Sequence, residues 1–256
     1  MPVYMRSPAD LEVTCRTIHT LRATQPDLDL LIVDDHSPVV ELWEGLVSFT
    51  EDESFIAHRQ AENGGFARAV NHGLRAALAS GRDALLVNAD MEFLSEAWLP
   101  ALEDCVTPDG APADIAGALL VYPQGFIQHA GIYFSLLTRQ WDHWYRFAPY
   151  QLPEAHIPRV CPVTGALQFI RHSTLEKIGL YDEDFRMSYE DVDYCLRAFA
   201  AGLTCVYTAK AMALHHESMF RGNKDEKIKK WEQESWQLLN RKHADTPTQP
   251  FYPNYI

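Results

Sequence analysis

The sequence predicts an α/β protein with a mostly parallel central sheet flanked by helices. Two short apolar runs, 30–33 and 84–87, have the length of buried parallel strands, and both end abruptly in polar residues. An amphipathic helix pattern at 66–79 lies between them. Strands that alternate with helices pair in parallel through right-handed crossovers. The 256 residues suffice for one large domain, and we expect 1–256 to form it.

The first helix has a complete start signal. Ser7 is the expected N-cap, Pro8 occupies the first helical position, and Asp10 completes a capping box. The later elements follow from apolar periodicity and from glycines that stop helices. They are strands at 54–58, 115–122 and 163–170, helices at 66–79 and 174–178, a helix opened by Ser188 and stopped by Gly202, strands at 204–208 and 211–214, and a last helix at 225–243 within a C-terminal helix and tail over 224–256. The aromatic stretch 132–158 has no clear period, which predicts a long loop.

Composition excludes some functions and constrains others. With 22 basic and 35 acidic residues the net charge is −13, which argues against general nucleic-acid binding. A phosphate-bearing ligand therefore needs a local device, such as a metal ion or a ring of backbone N–H groups. No apolar run approaches the ~20 residues of a membrane-spanning helix, and no secretory signal opens the chain. Five cysteines without a C-x-x-C pair indicate free thiols in a reducing compartment, so we expect a cytoplasmic protein.

Polar residues suited to chemistry follow the strand at 84–87. Asn88 and Asp90 stand beyond its carboxyl end, where ligands bind in open α/β sheets. A carboxylate there suits a hard divalent cation such as Mn²⁺ or Mg²⁺, and the amide suits a hydrogen bond to a sugar or phosphate. The alternative is that Asp90 only caps the loop that leads into a helix near Ser95.

Two further groups of polar residues lie downstream. Glu190 and Asp191 open a helix, where a carboxylate at the mouth of a cleft is a candidate general base. The alternative is a helix cap, because Ser188 and Asp191 have capping-box spacing. His215 or His216, just after a strand, suits a cation site begun by Asp90, although a core or surface histidine is the commoner case.

Two weaker signals concern a nucleotide. Asp34 and Asp35 end the strand at 30–33, where carboxylates can accept hydrogen bonds from a base or a ribose. Asn63, Gly64 and Gly65 form a glycine-rich turn that can present backbone N–H groups. Either signal alone is more often a plain turn.

In chain order, these motifs resemble those of the family 2 glycosyltransferases, which are inverting enzymes with the GT-A fold. The resemblance covers about residues 30–216 and is greatest to the rhamnosyltransferase-like and galactofuranosyltransferase-like branch. The stretches that carry it are VDDHS at 33–37, NGGFA at 63–67 with Asn71 and Gly73, LVNAD at 86–90, QHAG at 128–131, TGA at 164–166, GLYDEDF at 179–185, YEDVD at 189–193 and the histidines at 215–216. It implies a Rossmann-like sheet with a small antiparallel portion near the active site.

The resemblance also implies a role for each motif. Asp90 and His215 would bind Mn²⁺ or Mg²⁺, and Asp191, beside Glu190, would be the catalytic base. The residues that would bind the nucleotide-sugar donor are Asp34, Asp35, Asn63, Gly65, Asn71, Asn88, Asp90 and Gly165. Asn88 stands where the family carries the first Asp of its metal motif. Only residues 2–4 remain of the family's first strand, so either the chain begins inside the natural domain or this strand is short.

The expected function is inverting, metal-assisted transfer of a sugar from a nucleoside-diphosphate sugar to a glycan or lipid-linked glycan in cell-surface polysaccharide synthesis. Trp141, His143 and Trp144 are predicted to line the acceptor side, because sugars stack on aromatic rings; a hydrophobic flap on the core is an equal alternative. The lysine-rich stretch 224–230 suits a peripheral contact with the inner face of a membrane or with a partner protein, although a solvated face is commoner.

Two other classes of function remain open at this point. A nucleotidyltransferase acting on sugar phosphates also uses a parallel sheet and acidic metal ligands. It would need a basic residue in its first loop, where the chain offers only Arg6. The second alternative is a non-catalytic sugar-binding or scaffold domain.

Overall fold

The computed structural model describes residues 1–50, 55–106, 113–216 and 226–246. The helices in these ranges are α1 (Pro8–Thr24), α2 (Val40–Thr50), α3 (Phe66–Ser80), α4 (Trp98–Val106), α5 (His172–Ile178), α6 (Glu190–Ala200) and α7 (Glu226–Lys242). The strands are β1 (Pro2–Val3), β2 (Leu31–Asp34), β3 (Ile56–Arg59), β4 (Ala84–Val87), β5 (Met91–Glu92), β6 (Ile115–Val121), β7 (Ile127–His129), β8 (Ile132–Ser135), β9 (Gln140–His143), β10 (Arg159–Val160), β11 (Leu167–Ile170) and β12 (Cys205–His215). None of these helices is both long and apolar enough to cross a membrane.

The strands form two sheets and a hairpin. Strands β1, β2 and β3 pair in parallel, so the short first strand takes part in its sheet. A seven-stranded sheet has the order β10-β12-β6-β11-β4, with β5 on β12 and β7 on β6. In it β4, β6 and β12 run in one direction, while β11 and the short strands β5, β7 and β10 run against them. The predicted α/β class is confirmed, and β11 and the three short strands form the antiparallel portion of the sheet.

Helices cover both faces of the larger sheet, and strand β6 is accordingly buried on both of its faces. Its residues are all buried and alternate between two hydrophobic cores. Ala116, Ala118 and Leu120 belong to the core that includes α1, α2 and α4. Ile115 and Leu119, on the opposite face, belong to the core that includes α3, α5 and α6. A strand buried on both faces is a continuous apolar run, as this sequence is.

The helix signals at α1 and α3 are confirmed. The side-chain oxygen of Ser7 accepts from the Asp10 N–H, and the Asp10 carboxylate accepts from the Ser7 N–H at 3.0 Å, which completes the capping box. Gly81 ends α3 in the left-handed conformation, with φ at 69°. These signals succeed because each involves residues no more than four positions apart.

Helix α2 is not among the predicted elements. Gly45 in its middle lowers its helix propensity, and its sequence is apolar on several sides. Leu42 and Leu46 nevertheless lie four residues apart and are buried. A Cβ atom at Gly45 would lie 3.2 Å from a methyl carbon of Leu11, so the glycine allows α2 to approach α1 closely.

Two other expectations about the fold were wrong. The stretch 132–158 contains the antiparallel hairpin β8–β9 and a short 3-10 helix at Pro153–His156, so it is not an unstructured loop. The two strands predicted at 204–208 and 211–214 are one strand, β12. A bulge between Thr208 and Met212 interrupts its pairing with β6, and that bulge breaks the apolar pattern in the sequence.

We predict that Gly117→Ala destabilises the protein and Gly73→Ala does not. A Cβ atom at Gly117, in β6, would lie 2.5 Å from the Cβ of Val163, so overpacking should cost about 1–3 kcal/mol. Gly73 lies inside α3, and apart from its chain neighbours and the helix backbone no atom lies within 4 Å of the added carbon, so alanine there should stabilise by about 0.5–1 kcal/mol. Urea unfolding measures both. Equal midpoint shifts for the two variants would contradict the packing described for β6.

Candidate active site

A cleft of about 1530 Å³ opens where the parallel strands end. Its walls come from residues that follow β1 to β4, from the loops before β11 and α6, from the hairpin β8–β9 and from α7. Most of the predicted site residues line it: Asp35, Asn63, Gly65, Asn88, Asp90, Trp141, His143, Gly165, Glu190, Asp191 and His215. Residues far apart in the sequence therefore converge on one cavity.

The loop that carries Asn88 and Asp90 is held by backbone hydrogen bonds on two sides. The Asn88 N–H donates to the Ala166 carbonyl at 2.8 Å, and the His216 N–H donates to the Asp90 carbonyl at 2.9 Å. The buried Thr17 hydroxyl of α1 lies 2.9 Å from the Ala89 carbonyl oxygen. The Asp90 carboxylate thus points into the cleft and does not cap a helix, since α4 begins only at Trp98.

The Asp90 carboxylate is buried beside an imidazole. The Nε2 atom of His215 lies 3.0 Å from Asp90 Oδ1, whereas His216 pairs with Glu92. The Nδ1 atom of His215 contacts Oε1 of Gln128, which can only accept, so Nδ1 must carry the proton. Nε2 therefore faces the carboxylate either as the N–H of an imidazolium or as a lone pair that shares a cation with Asp90.

This pair fits a divalent cation. An oriented imidazole with its other nitrogen bonded to an oxygen is the usual arrangement of a metal-binding histidine. The Asn88 amide nitrogen lies 3.5 Å from His215 Nε2, and the Asn88 Oδ1 atom is buried without a hydrogen-bond partner. Among the described residues no three His, Cys, Asp or Glu side chains could together hold a metal ion. A cation here would complete its coordination with amide, substrate or water oxygens, as Mg²⁺ sites on phosphates do.

A bulge in β7 brings two successive side chains to this region. Leu120 of β6 pairs with His129, but Val121 pairs with Ile127, so Gln128 is an extra residue in the strand. In a regular strand Gln128 and His129 would point to opposite faces. Here Gln128 contacts His215, and His129 Nδ1 lies 2.7 Å from Nδ1 of His143. Neither Gln128 nor His129 was predicted as a site residue, although both lie in a motif of the resemblance.

Asp35 organises the glycine-rich turn. Its carboxylate accepts from the Gly64 N–H at 2.7 Å, the Gly65 N–H at 2.8 Å and the Asn63 side-chain amide at 2.9 Å. The turn's N–H groups at Gly64 and Gly65 are therefore engaged with Asp35, which corrects the expectation that they are presented to a phosphate. Gly65 has φ of 86° directly before α3, a conformation that favours glycine.

Asp191 is held at the cleft by the loop before β11. Its Oδ2 atom accepts from the Gly165 N–H at 3.0 Å. The predicted capping box of Ser188 and Asp191 is wrong, because α6 begins after Tyr189 and no side chain caps it. Ser188 and Tyr189 have φ of 65° and 70°, an uncommon conformation for residues other than glycine that is concentrated at functional sites. Glu190 lines the cleft beside Asp191.

Two predicted nucleotide-binding residues do not line the cleft. Asp34 is fully buried, accepts from the Ser37 N–H and forms an ion pair with Arg59 at 2.8 Å. Asn71 is buried and bonds to the backbone of Tyr181, with 2.9 Å at both the N–H and the carbonyl. Both side chains are already saturated by protein partners, so these two assignments are corrected to structural roles.

Of the three residues predicted for the acceptor side, Trp141 and His143 line the cleft and Trp144 does not. Trp141 and His143, two residues apart on β9, face the cleft. Trp144 points the other way and packs on Tyr133, with ring centroids 4.9 Å apart, as in the hydrophobic-flap alternative. Its prediction as an acceptor-side residue is therefore wrong.

Helix α7 supplies the opposite wall, which the sequence did not reveal. Trp231 and Trp236 line the cleft, and the Arg186 guanidinium lies 5.2 Å from the Trp231 ring centre. The helix is anchored by the buried Leu239 and by His243, whose Nε2 lies 2.8 Å from Asp193 Oδ1. In the sequence, the signal that could have indicated this wall was the apolar face from which the helix was predicted. The first part of the lysine-rich stretch 224–230 lies outside the described residues, and its membrane or partner contact stays a prediction.

Comparisons with known proteins agree with this fold. Residues 1–121 match the family model described as glycosyl transferase family 2. The O-antigen biosynthesis protein RfbC of Myxococcus xanthus is 32% identical over 149 residues, which is 56% of this chain and 12% of that protein. The structure of GalNAc-T7 with UDP, GalNAc and Mn²⁺ matches with a TM-score of 0.65 at 14% identity, covering 96% of this chain and 57% of that one.

A second solved structure shares the same architecture. The mannosyltransferase PcManGT from Pyrobaculum calidifontis, in complex with GDP-Man and Mn²⁺, matches with a TM-score of 0.62 at 16% identity, covering 98% of this chain and 65% of that one. The fold is thus that of the GT-A glycosyltransferases. The match of residues 1–121 to the family 2 model agrees with the resemblance that the motifs predicted. The chain spans only part of the length of each relative.

We predict that Asp35 makes stability depend on pH. Burial raises the pKa of its carboxyl to about 6, against the opposing effect of the Gly64 and Gly65 N–H donors. The folded state then binds this proton more tightly than the unfolded chain does. The contribution of Asp35 to stability should therefore fall as pH rises from about 4 to about 6.

The measurement compares melting temperatures of the wild type and Asp35→Asn between about pH 4 and 8. The difference, wild type minus variant, should decrease through the window and level off above it. Glu41→Gln, at an exposed carboxyl of α2, is the control and should show no such trend. A difference that rises with pH would contradict the raised pKa.

Proposed function

We propose that this glycosyltransferase moves a sugar from a nucleoside-diphosphate sugar to a hydroxyl group of a glycan, with inversion and with the help of a divalent cation. One observation carries the proposal: the buried pair Asp90 and His215 and the candidate base Asp191 line the same cleft. Such a transfer needs a pair of side chains that binds a cation and a separate carboxylate that acts as the general base.

The donor side of the proposal rests on charge. The carboxyl groups of Asp35, Asp90, Glu190 and Asp191 all line the cleft of a chain with net charge −13, so a diphosphate would be repelled without a counter-ion. When bound, Mn²⁺ or Mg²⁺ at Asp90 and His215 would neutralise charge on the departing diphosphate. The solved structures described above contain UDP or GDP-Man with Mn²⁺, which supports a donor of this chemical class. Asn88 would contribute its unpartnered Oδ1 atom to the same region.

We assign the general base to Asp191. In the proposed step the acceptor oxygen attacks the anomeric carbon while the bond from that carbon to the diphosphate oxygen breaks. The hydroxyl proton passes to the Asp191 carboxylate, and attack opposite the leaving group inverts the configuration. The Gly165 N–H, 3.0 Å from Oδ2, fixes the orientation of the carboxylate. A Cβ atom at Gly165 would lie 3.2 Å from the Tyr181 hydroxyl, so this close approach suits glycine.

The acceptor would be a glycan held between aromatic walls. Trp141 on β9 and Trp231 and Trp236 on α7 offer ring faces on which sugars stack. The cleft volume of about 1530 Å³ exceeds the ~300–1000 Å³ of an ordinary small-ligand pocket, which leaves room for donor and acceptor together. The M. xanthus relative is an O-antigen biosynthesis protein, which supports a cell-surface polysaccharide as the product.

The alternatives have less support. A nucleotidyltransferase would need a basic residue in the first loop, and Arg6 is exposed and does not line the cleft. A non-catalytic scaffold would not turn over any donor, which the next experiment examines.

We predict that Asp191→Asn lowers kcat for sugar transfer by about 100-fold or more, since general bases contribute ~10²–10⁴. The assay measures nucleoside diphosphate released from a panel of nucleoside-diphosphate sugars with Mn²⁺ and glycan acceptors. Asp184→Asn, at an exposed carboxyl outside the cleft, is the matched control and should transfer at the wild-type rate. Full turnover by Asp191→Asn would reject the base, and no turnover by the wild type with any donor would favour the scaffold.

We predict that Asp90→Asn abolishes metal-dependent nucleotide binding. In the wild type, UDP or GDP should raise the melting temperature in the presence of Mn²⁺ and much less in its absence, because ligands stabilise the state that binds them. Glu92→Gln is the matched control, because Glu92 lies two residues away and pairs with His216 outside the cleft. The control should keep the Mn²⁺-dependent shift. Its loss in both variants would show damage to the loop instead of loss of a ligand.

A further inference from the structure

His129 is a buried histidine that the proposed mechanism does not use. Its side chain is fully inaccessible to solvent, although it comes from the strand that also carries Gln128. Its Nε2 atom lies 3.3 Å from the Gly131 backbone nitrogen and 3.5 Å from the Thr164 backbone nitrogen. Both neighbours are N–H donors, so Nε2 must be the acceptor and the ring proton must be on Nδ1.

The proton on His129 determines the state of a second histidine. His129 Nδ1 lies 2.7 Å from Nδ1 of His143, so the N–H of His129 donates and His143 Nδ1 accepts. An imidazole that accepts at Nδ1 carries its own proton on Nε2. It also cannot become an imidazolium without placing two N–H groups against each other.

We propose that His129 is a positioning residue that holds His143 in the cleft as a neutral Nε2–H donor to an oxygen of the sugar acceptor. His143 lines the cleft on the same face of β9 as Trp141, which places its donor on the aromatic side. In this state Nε2 has no lone pair for a proton, so His143 cannot serve as a general base. The identity of the acceptor rests on the proposed function, whereas the tautomer of His143 does not.

The surroundings of His129 are built for this state. Burial lowers the pKa of His129 well below its usual value, with smaller effects from His143 and His215, so the ring stays neutral. Gly131 has φ of 93°, and a Cβ there would lie 2.5 Å from the Cys161 sulfur, so only glycine brings this N–H to Nε2. The bulge at Gln128 allows His129 to reach the cleft side. Together these features give a structural reason for the residue types at 128, 129 and 131.

The first experiment reads the tautomer directly. Nitrogen NMR of ¹⁵N-histidine-labelled full-length protein, with His143 assigned from the signals lost in His143→Gln, should show protonated Nε2 and unprotonated Nδ1 between about pH 6 and 8. The same pattern should persist in His129→Asn, whose amide can still donate to Nδ1, and should be lost in His129→Leu. A wild-type His143 that carries its proton on Nδ1, or on both nitrogens, would overturn the proposal even if transfer activity is normal.

The second experiment tests whether the Nε2–H group of His143 binds the sugar acceptor. Loss of one neutral hydrogen bond in His143→Phe should raise the acceptor KM about three- to tenfold while the donor KM stays near the wild-type value. His143→Gln, whose amide nitrogen mimics Nε2–H, should recover most of that loss, and His156→Gln, exposed outside the cleft, is the control. Equal loss in His143→Gln and His143→Phe would overturn the donor role. Transfer by the wild type that depends on Asp191 but not on His143 would reject this inference and leave the proposed function intact.

Discussion

The arrangement of the cleft depends on the burial of the Asp90 carboxylate beside His215. A buried carboxylate is costly unless it is paired and hydrogen-bonded, and Asp90 is only 6% exposed. The pairing forces the end of β4 to meet the end of β12, and the backbone bond from His216 to Asp90 closes the same junction. Gln128 then orients the imidazole from a third strand. Because the Asp90 carboxylate needs a partner, the ends of β4 and β12 and strand β7 lie together at this site.

The bulge in β7 converts one short strand into a support for two imidazoles. Gln128 accepts from Nδ1 of His215, which leaves Nε2 of that ring facing Asp90. His129 donates to Nδ1 of His143, which leaves the proton of that ring on Nε2. His215 therefore carries a proton on Nδ1, whereas His143 carries its proton on Nε2, so the second ring suits an oxygen acceptor. A regular strand would direct only one of the two supporting side chains to the cleft.

Local sequence signals predicted most elements of the fold and failed where contacts with distant residues take precedence. Ser7 and Ser188 both precede an acidic residue by three positions, but only Ser7 forms the capping box. Ser188 adopts a positive φ because the chain there must deliver Asp191 to the Gly165 N–H, 26 residues earlier. Helix α2 was not predicted because Gly45 is unfavourable in an isolated helix. In the folded protein this glycine allows α2 to pack closely on α1.

The sequence by itself predicted the α/β class, the resemblance to family 2 glycosyltransferases and the short stretches from which the site is built, because each depends on residues close together in the chain. Only the tertiary structure decided which neighbour in each stretch faces the cleft. The residues that line the cleft are Asp35, His215, Trp141 and His143. Their neighbours Asp34, His216 and Trp144 do not line it. Adjacent residues have similar chemistry, so their sequence does not distinguish them. The choice is made by partners far away, Arg59 for Asp34 and Gln128 for His215, which only the folded chain brings within hydrogen-bonding distance.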